Sequence, residues 1–306
     1  MIKQLVILSG KGGTGKTSLT AAFANLAKRN IPPIKAVLAD ADVDAANLEL
    51  VTQPTLLEAH EFIGGEIAVI NSDLCMSCGI CEQVCRFDAI IPPNSNHPAY
   101  QVDTVACDGC AACVYQCPEE AISMVSQRAG SWYHSDSLYG DLFHADLIPA
   151  QENSGKLVTV VKQNGRLKAL DTNAPLLIID GPPGIGCPVI SAIAGADLGV
   201  IVTEPTPAGA HDLERALQTI QHFHIPALVV VNKADLNPAM TDAIKTYCAE
   251  KQIEVLGEIP YDSSMSDAMK LGKDIIAYNP DLPASQALIL IWNKIIKYLS
   301  LDGGLT

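Results

Sequence analysis

Short apolar runs alternate with stretches of helical periodicity along most of the chain. Residues 5–8 (Leu-Val-Ile-Leu) and 176–179 (Leu-Leu-Ile-Ile) are continuous apolar runs, which are typical of strands buried on both faces. Residues 18–29 place apolar side chains at the spacing of an amphipathic helix. Strands that alternate with helices predict an α/β fold with a mostly parallel sheet flanked by helices. The same criteria predict strands at 34–39, 142–148 and 227–231, a strand followed by a turn at 200–206, and helices at 210–222 and 284–299.

Three segments between these elements give a weaker signal. Residues 130–141 are rich in Ser, Tyr, His, Gly and Asp, and we expect a loop there. Residues 154–163 fit a short helix and a strand equally well. Residues 152–156 form a polar stretch, for which we expect a loop near the sheet edge and assign no chemical task.

A glycine-rich segment follows the first predicted strand. Residues 10–17 (Gly-Lys-Gly-Gly-Thr-Gly-Lys-Thr) match the phosphate-binding pattern G-x-x-x-x-G-K-[ST] at every fixed position. Such a loop turns backbone N–H groups toward a phosphate chain at a helix N-terminus, whose partial positive charge favours anions. Lys16 would neutralise the β- and γ-phosphates, and Thr17 would bind Mg²⁺. The expected nucleotide-binding residues here are Gly10, Gly12, Gly13, Thr14, Gly15, Lys16, Thr17 and Ser18.

The composition narrows the class of protein. The chain has 306 residues, a formal net charge of −14 and ten cysteines. Its length predicts about two domains, and no apolar run is long enough to predict a membrane-spanning helix. An acidic chain lacks the basic patches that bind nucleic acid, so we expect no nucleic-acid partner. The first residues form a strand and a phosphate loop rather than an export signal, so we expect a cytoplasmic protein whose cysteines serve metal or redox chemistry.

Eight of the cysteines form two runs of identical spacing, C-x₂-C-x₂-C-x₃-C. Paired runs of this kind are typical of bacterial ferredoxins with two 4Fe–4S clusters, in which the fourth cysteine of each run ligates the other cluster. Zinc is the alternative, since C-x₂-C pairs also bind zinc. Arg86 departs from the ferredoxin pattern, which has proline at that position. The expected ligands are Cys75, Cys78, Cys81 and Cys117 for the first cluster, and Cys107, Cys110, Cys113 and Cys85 for the second.

The cysteine runs interrupt the α/β pattern. Only part of a nucleotide-binding domain precedes them, and its remaining strands and helices follow them. We therefore predict a nucleotide-binding domain made of residues 1–70 and 129–306, with a small α+β ferredoxin domain inserted as residues 71–128. The inserted segment is acidic, which fits either a solvated face or a docking surface for a basic redox partner.

Lys11 makes the phosphate loop more specific. A second lysine directly after the first glycine resembles the deviant Walker A loop of the MinD/ParA class, which includes the nitrogenase iron protein and the Mrp-type cluster carriers. In that class this lysine reaches the phosphates of the partner subunit across a nucleotide sandwich. The resemblance therefore implies an ATPase that forms a homodimer with ATP at the interface, and it assigns Lys11 and Lys16 to catalysis.

Further motifs resemble the switch regions of the same class. Residues 40–48 resemble switch I, which implies that Asp42 orients the attacking water and the Mg²⁺ shell, with Asp40 in support. A cap on the helix near Ala45 is the alternative role for Asp42. Asp180 ends a predicted strand and precedes Gly-Pro-Pro-Gly, which resembles a Walker B aspartate followed by switch II. The resemblance implies that Asp180 holds a water of the Mg²⁺ shell.

The C-terminal motifs have counterparts in this class too. Residues 232–235 (Asn-Lys-Ala-Asp) resemble the base-recognition element, which implies Asn232 and Asp235 at the base. Residues 257–262 resemble the last strand and the turn beside the adenine, which implies Pro260 and Tyr261. The class favours ATP over GTP, which the residues alone do not decide. The final helix carries few cations, so we expect it to pack on the sheet rather than bind a membrane.

Three functions are compatible with this combination of motifs. The first is an ATPase whose nucleotide-driven dimerisation and switching control electron transfer to a partner metalloprotein. The alternatives are an iron–sulfur cluster carrier or metalloenzyme maturation ATPase, and a nucleotide-switched positioning or scaffold protein with structural clusters. Eight ligands that fill two clusters favour electron transfer over cluster donation. Cys187 follows switch II. It is either a small buried side chain or unpaired thiol, or a thiol that meets its copy across the dimer and shares a metal or cluster with it.

Overall fold

The structure, a computed structural model, describes residues 2–149 and 153–301. The chain divides into two compact units, of which the first comprises Met1–His60, Trp132–Asp146 and Ser154–Thr306. The second comprises Glu61–Ser131 and Leu147–Asn153. The segment predicted as an insertion, residues 71–128, lies inside the second unit.

The described elements follow the α/β alternation predicted for the nucleotide-binding part. The strands are β1 (Lys3–Ser9), β2 (Ala36–Asp40), β3 (Thr55–Ile70), β4 (Ile90–Ile91), β5 (Gln101–Val102), β6 (Ile122–Ser137), β7 (Gly140–Leu147), β8 (Leu176–Pro183), β9 (Leu198–Thr203), β10 (Ala227–Asn232) and β11 (Val255–Ile259). The helices are α1 (Lys16–Arg29), α2 (Glu49–Thr52), α3 (Ile80–Val84), α4 (Ala112–Gln116), α5 (Ser154–Asp171), α6 (Cys187–Ile193), α7 (Pro207–His222), α8 (Pro238–Glu250), α9 (Ser264–Lys270), α10 (Ile275–Tyr278) and α11 (Pro283–Tyr298).

A nine-stranded sheet has the order β11-β10-β9-β1-β8-β2-β7-β6-β3. The pairs from β11 through β7 are parallel. In the registers, Asp180 of β8 lies opposite both Ile7 of β1 and Asp40 of β2. The carboxyl ends of these three strands therefore meet at one sheet edge, where ligands bind in open α/β sheets.

Apolar side chains cover both faces of the central strands. The strand residues Leu5, Ile7 and Ile178 share one core with residues of α1, α10 and α11, where Phe23 stacks on Trp292 with ring centroids 5.6 Å apart. On the other face, Gly165 of α5 lies against Leu177. Helix α11 is thus part of the core, as predicted. No helix within residues 2–149 and 153–301 combines the length and apolar character needed to cross a membrane.

The expected loop at residues 130–141 is wrong. Strand β6 runs on to Ser137, and β7 begins at Gly140. The polar side chains that suggested a loop find partners within this region: His134 bonds to Asp141 (2.7 Å) and Ser135 to His144 (3.1 Å). Buried polar groups are tolerated when they are hydrogen-bonded.

Residues 154–163 belong to a helix, α5, which continues to Asp171. Of the polar stretch at 152–156, Glu152 lies outside the described residues and Asn153 precedes the helix. Residues 154–156 form the first turn of the helix, so the loop expected there is wrong. The alternatives of helix and strand are thus resolved in favour of a helix.

The second unit contains two copies of one motif, 32 residues apart in the sequence. Helix α3 follows Gly79 (φ 80°) and α4 follows Ala111 (φ 60°), both in the left-handed region. The copies exchange equivalent backbone bonds, from Asn71 N to Ala121 O and from Asp103 N to Ala89 O, each 2.8 Å long. Strands β4 and β5 pair antiparallel between the two helices in sequence.

Candidate nucleotide and metal sites

The phosphate loop joins β1 to α1 in the first unit. Gly15 has a φ of 97°, and a Cβ there would lie 2.6 Å from Asn232 Nδ2, so both the conformation and the space require glycine. A Cβ on Gly12 or Gly13 would meet nothing within 4 Å, so this side of the loop is open to a ligand. The hydroxyl of Thr14 is buried and has no hydrogen-bond partner among the described residues.

Lys16 is almost completely buried, with 5% of its surface exposed. Its Nζ donates to Ser9 Oγ (3.0 Å), and the Ser9 hydroxyl donates to Lys11 O (2.6 Å). Ser9, at the end of β1, therefore holds both the lysine and the start of the loop. Sequence reasoning missed this residue because the loop pattern begins one position later.

Asp180 is fully buried beside the first turn of α1. Thr17 Oγ1 donates to its Oδ2 (2.6 Å), and Thr20 Oγ1 donates to its Oδ1 (3.0 Å). Burial raises the pKa of Asp180 to about 6, against the opposing effects of the Thr17 bond and the Lys16 charge. The Thr17 hydroxyl and the Asp180 carboxylate are thus in direct contact.

Asp40 and Asp42 occupy different environments. Asp40 is fully buried and accepts backbone N–H bonds from Asp42 (3.2 Å), Asn47 (3.1 Å) and Leu48 (3.0 Å), so it fixes the path of the loop after β2. Burial and the neighbouring Asp180 carboxylate raise the pKa of Asp40 well above its usual range. Asp42 lines the pocket described next, and burial raises its pKa while Lys16 opposes the shift.

A pocket of about 810 Å³ extends from the phosphate loop to β11, a volume that suits a nucleotide. Asn232 lines it and donates from Nδ2 to Thr14 O (2.8 Å), which links β10 to the loop. Among the described residues, Asp235 is not part of the lining; its Oδ1 accepts the backbone N–H of Tyr261 (2.6 Å) instead. Residues predicted for the site that line the pocket are Gly12, Gly13, Gly15, Lys16, Thr17, Ser18, Asp42, Asn232, Pro260 and Tyr261.

Lys11 points to a carboxylate of its own chain. Its Nζ lies 3.0 Å from Glu204 Oε2, and Lys233 Nζ lies 2.5 Å from Glu204 Oε1. Burial acts to raise the pKa of Glu204, but the bonds and charges of Lys233 and Lys11 outweigh it and lower the pKa. Glu204 follows β9, and sequence reasoning assigned it no role.

The family model of the CobQ/CobB/MinD/ParA nucleotide-binding domain matches residues 5–275. The chain belongs to this family. It is accordingly a nucleotide-binding ATPase of the MinD/ParA type, and the resemblance drawn from Lys11 and the switch motifs is confirmed at the level of the family. The fold is similar to that of MinD from Pyrococcus horikoshii, solved with Mg-ADP, with a TM-score of 0.59, 16% identity and 100% of both chains covered.

Two curated relatives extend the comparison. An uncharacterized protein of Methanocaldococcus jannaschii is 34% identical over 237 residues, which cover 78% of this chain and 80% of that one. The iron–sulfur cluster carrier protein of Pyrococcus abyssi is 29% identical over 135 residues, which cover 40% of this chain and 45% of the carrier.

The second unit of this MinD/ParA-type ATPase gathers its eight motif cysteines into two cavities. Each cavity is lined by three cysteines of one run and the last cysteine of the other. The two cavities have equal volumes, about 20 Å³ each. The first holds Cys75, Cys78, Cys81 and Cys117; the second holds Cys85, Cys107, Cys110 and Cys113.

The two cavities correspond position by position. The third cysteine of each run, Cys81 or Cys113, is buried, whereas the second, Cys78 or Cys110, is exposed. One pair of equivalent wall residues differs in size: Tyr100 lines the first cavity, and Ala68, 32 residues earlier, lines the second. The repeated cysteine spacing in the sequence therefore corresponds to two equivalent cavities in the structure.

The donor set of the cavities suits a multinuclear cluster. Each cavity offers four cysteine thiols, the number of ligands that one 4Fe–4S cluster takes. The N–H of Ala121 donates to Cys117 Sγ (3.3 Å), a bond of the kind that tunes cluster thiolates. Burial raises the pKa of the Cys81 and Cys113 thiols, so a bound cation would be needed to hold them as thiolates near neutral pH.

The two remaining cysteines lie in the first unit. Cys187 is exposed at the start of α6, and Cys248 is fully buried in α8, where burial raises the pKa of its thiol to about 11. Cys187 is therefore not the buried small side chain that the sequence allowed, whereas Cys248 is a core residue.

Proposed function

We propose that this ATPase holds a [4Fe–4S] cluster in each thiol cavity and couples nucleotide-driven dimerisation to electron transfer toward a partner metalloprotein. The observation that supports the proposal is the sorting of eight cysteines into two four-thiol cavities. Four cysteine ligands complete the ligation of one cubane, so eight serve two clusters without a spare or missing thiol.

Each cluster would supply the storage of one electron at low potential. The chain contributes the four thiolates and the surrounding apolar wall, which for the first cavity includes Ile70, Ile80 and Ile122. Burial of a thiolate set limits hydration of the more negative state and so influences the potential. Complete protein ligation favours a resident group over a transferred one.

Each predicted site residue around the nucleotide pocket would have a separate role. Lys16 would neutralise the terminal phosphates, and Thr17 and Asp180 would bind Mg²⁺ directly and through water, respectively. Asp42 would orient the attacking water, while Asp40 holds its loop in place. Lys11 would act on the phosphates of the partner subunit in a homodimer. Catalysis in such a site is mainly positional and electrostatic.

Metal analysis of the anaerobically purified chain tests the proposal. We expect about eight iron and eight sulfide per chain and the electron paramagnetic resonance of a reduced 4Fe–4S cluster. Cys81→Ala should lower the iron content to half or less. Cys187→Ala, a matched loss of a thiol outside both cavities, should leave it unchanged. Stoichiometric zinc without sulfide would remove the basis for the proposal.

A cluster carrier is the second candidate, favoured by the partial match to the Pyrococcus abyssi carrier protein. The two functions predict different fates for the iron. The reduced chain would be mixed with ATP–Mg²⁺ and an apo-ferredoxin acceptor, and the chain would then be separated and assayed. Iron retained on the chain supports electron transfer, whereas ATP-dependent loss of iron to the acceptor supports the carrier function.

A further inference from the structure

Glu204 lies between two lysines that belong to different motifs. Lys11 comes from the phosphate loop and Lys233 from the segment after β10, and each binds a separate oxygen of the carboxylate. The Glu204 side chain is only 12% exposed, whereas that of Lys11 is 36% exposed. The largely buried carboxylate of Glu204 is therefore paired with a partly exposed lysine, Lys11.

We propose that Glu204 is a positioning residue that holds Lys11 against its own subunit, so that Lys11 must leave Glu204 before it can reach the nucleotide of a partner subunit. The inference rests on the nucleotide-bridged homodimer proposed above. It assigns to Glu204 the control of dimerisation rather than of nucleotide binding.

The contact can open without leaving a buried charge unpaired. A buried carboxylate that loses its last cation pays a large desolvation cost. Glu204 keeps Lys233 when Lys11 departs, and Lys233 is the closer of the two. Since the lysines lower its pKa, Glu204 is charged near neutral pH and attracts both of them.

Only the side chain of Lys11 needs to move. Its carbonyl is held by the hydroxyl of Ser9, which also binds Lys16. The loop backbone can therefore keep its position around the phosphates while the lysine side chain turns away from Glu204. The carbonyl of Lys11 thus fixes the loop through Ser9, while its amine pairs with Glu204.

The expected effect follows from the strength of a partly exposed ion pair. Such a pair shifts an equilibrium by about two- to fivefold. A dimer requires two Lys11 side chains to be released, so Glu204→Gln should tighten ATP-dependent dimerisation by about four- to 25-fold. The glutamine keeps the shape of the side chain and an oxygen that can accept a bond from Lys233.

Sedimentation velocity over a concentration series with ATP–Mg²⁺ measures this shift. Glu258→Gln is the matched control, since it removes another carboxylate that pairs with a lysine (Lys245, 2.7 Å), and it should leave dimerisation unchanged. An equal or weaker dimer for Glu204→Gln, with the wild type dimerising normally, overturns the inference.

A second measurement tests the contact without any dimer. In the nucleotide-free monomer, acylation of the Lys11 amine by a succinimidyl ester, followed by mass spectrometry, should be faster in Glu204→Gln than in the wild type. The control Glu258→Gln should match the wild type. Unchanged Lys11 reactivity refutes the Glu204 contact itself. If Lys11 reacts faster in Glu204→Gln but the wild type never dimerises with ATP, the proposed dimer is refuted rather than the contact.

Discussion

Replacing Asp180 by asparagine should change how the stability of the protein depends on pH. The wild-type carboxyl is fully buried, and its pKa is about 6 in the folded chain against an ordinary value of 3.8. A carboxyl whose folded pKa is raised binds more protons in the folded state. Its contribution to stability is therefore complete below pH 3.8 and is lost as the pH rises through 6.

The magnitude follows from the size of the shift. At about 1.4 kcal/mol per pKa unit, the full contribution of Asp180 is about 3 kcal/mol. Integration of the proton-binding difference places about 2 kcal/mol of it between pH 4.5 and pH 7. Asparagine keeps the shape of the side chain and its bond from Thr17 but does not titrate. Asp40, whose pKa is raised by Asp180 as well as by burial, shifts in the same direction.

Urea unfolding of the nucleotide-free protein at pH 4.5 and 7 measures the difference. Contributions of carboxyls that do not interact with Asp180 cancel when the variant is compared with the wild type, whereas the contribution of Asp40 adds to the difference in the same direction because Asp180 raises its pKa. From pH 4.5 to 7, the free energy of unfolding of the wild type should fall relative to that of Asp180→Asn by about 2 kcal/mol. Parallel pH dependences in the two proteins would refute the reasoning.

Two substitutions test other parts of the nucleotide site. Lys11→Ala should still bind ATP but lose ATP-dependent dimerisation and at least about two decades of hydrolysis rate, since one charge contact to the transferring phosphoryl is removed; unchanged turnover would contradict its role. Asn232→Ala leaves the buried Thr14 carbonyl without its Nδ2 donor, so thermal and urea unfolding should show a loss of about 1–3 kcal/mol, together with weaker ATP binding. An Asn232→Ala chain as stable as the wild type would show that the hydrogen bond between β10 and the phosphate loop does not stabilise the fold.

The elements around the phosphate loop could be predicted because local sequence dictates them. Continuous apolar runs such as residues 5–8 and 176–179 fit only a strand covered on both faces once the glycine-rich loop and a helix follow. The predicted strand at 5–8 is extended to Lys3–Ser9, and the predicted helix at 18–29 begins two residues earlier, at Lys16. The resemblance of the two cysteine runs to the two-cluster ferredoxin pattern also grouped the cysteines that line each cavity.

The remaining features depend on partners that lie far away in the sequence. His134 and Ser135 suggested a loop because their bonds to Asp141 and His144 form only when β6 and β7 are neighbours. The contact between Glu204 and Lys11 joins residues 193 positions apart in the sequence, so no local pattern predicts it. Hydropathy describes one residue's preference for water and carries no information on which other residue satisfies it.

The exchange of one cysteine between the two runs makes the paired motifs interdependent. A group that binds all four thiols of either cavity cross-links both 32-residue repeats, so neither repeat forms a complete binding site by itself. Cys85 and Cys117 each end the helix of one repeat and line the cavity of the other. Disruption of one helix would therefore displace a thiol from the opposite cavity as well as thiols from its own.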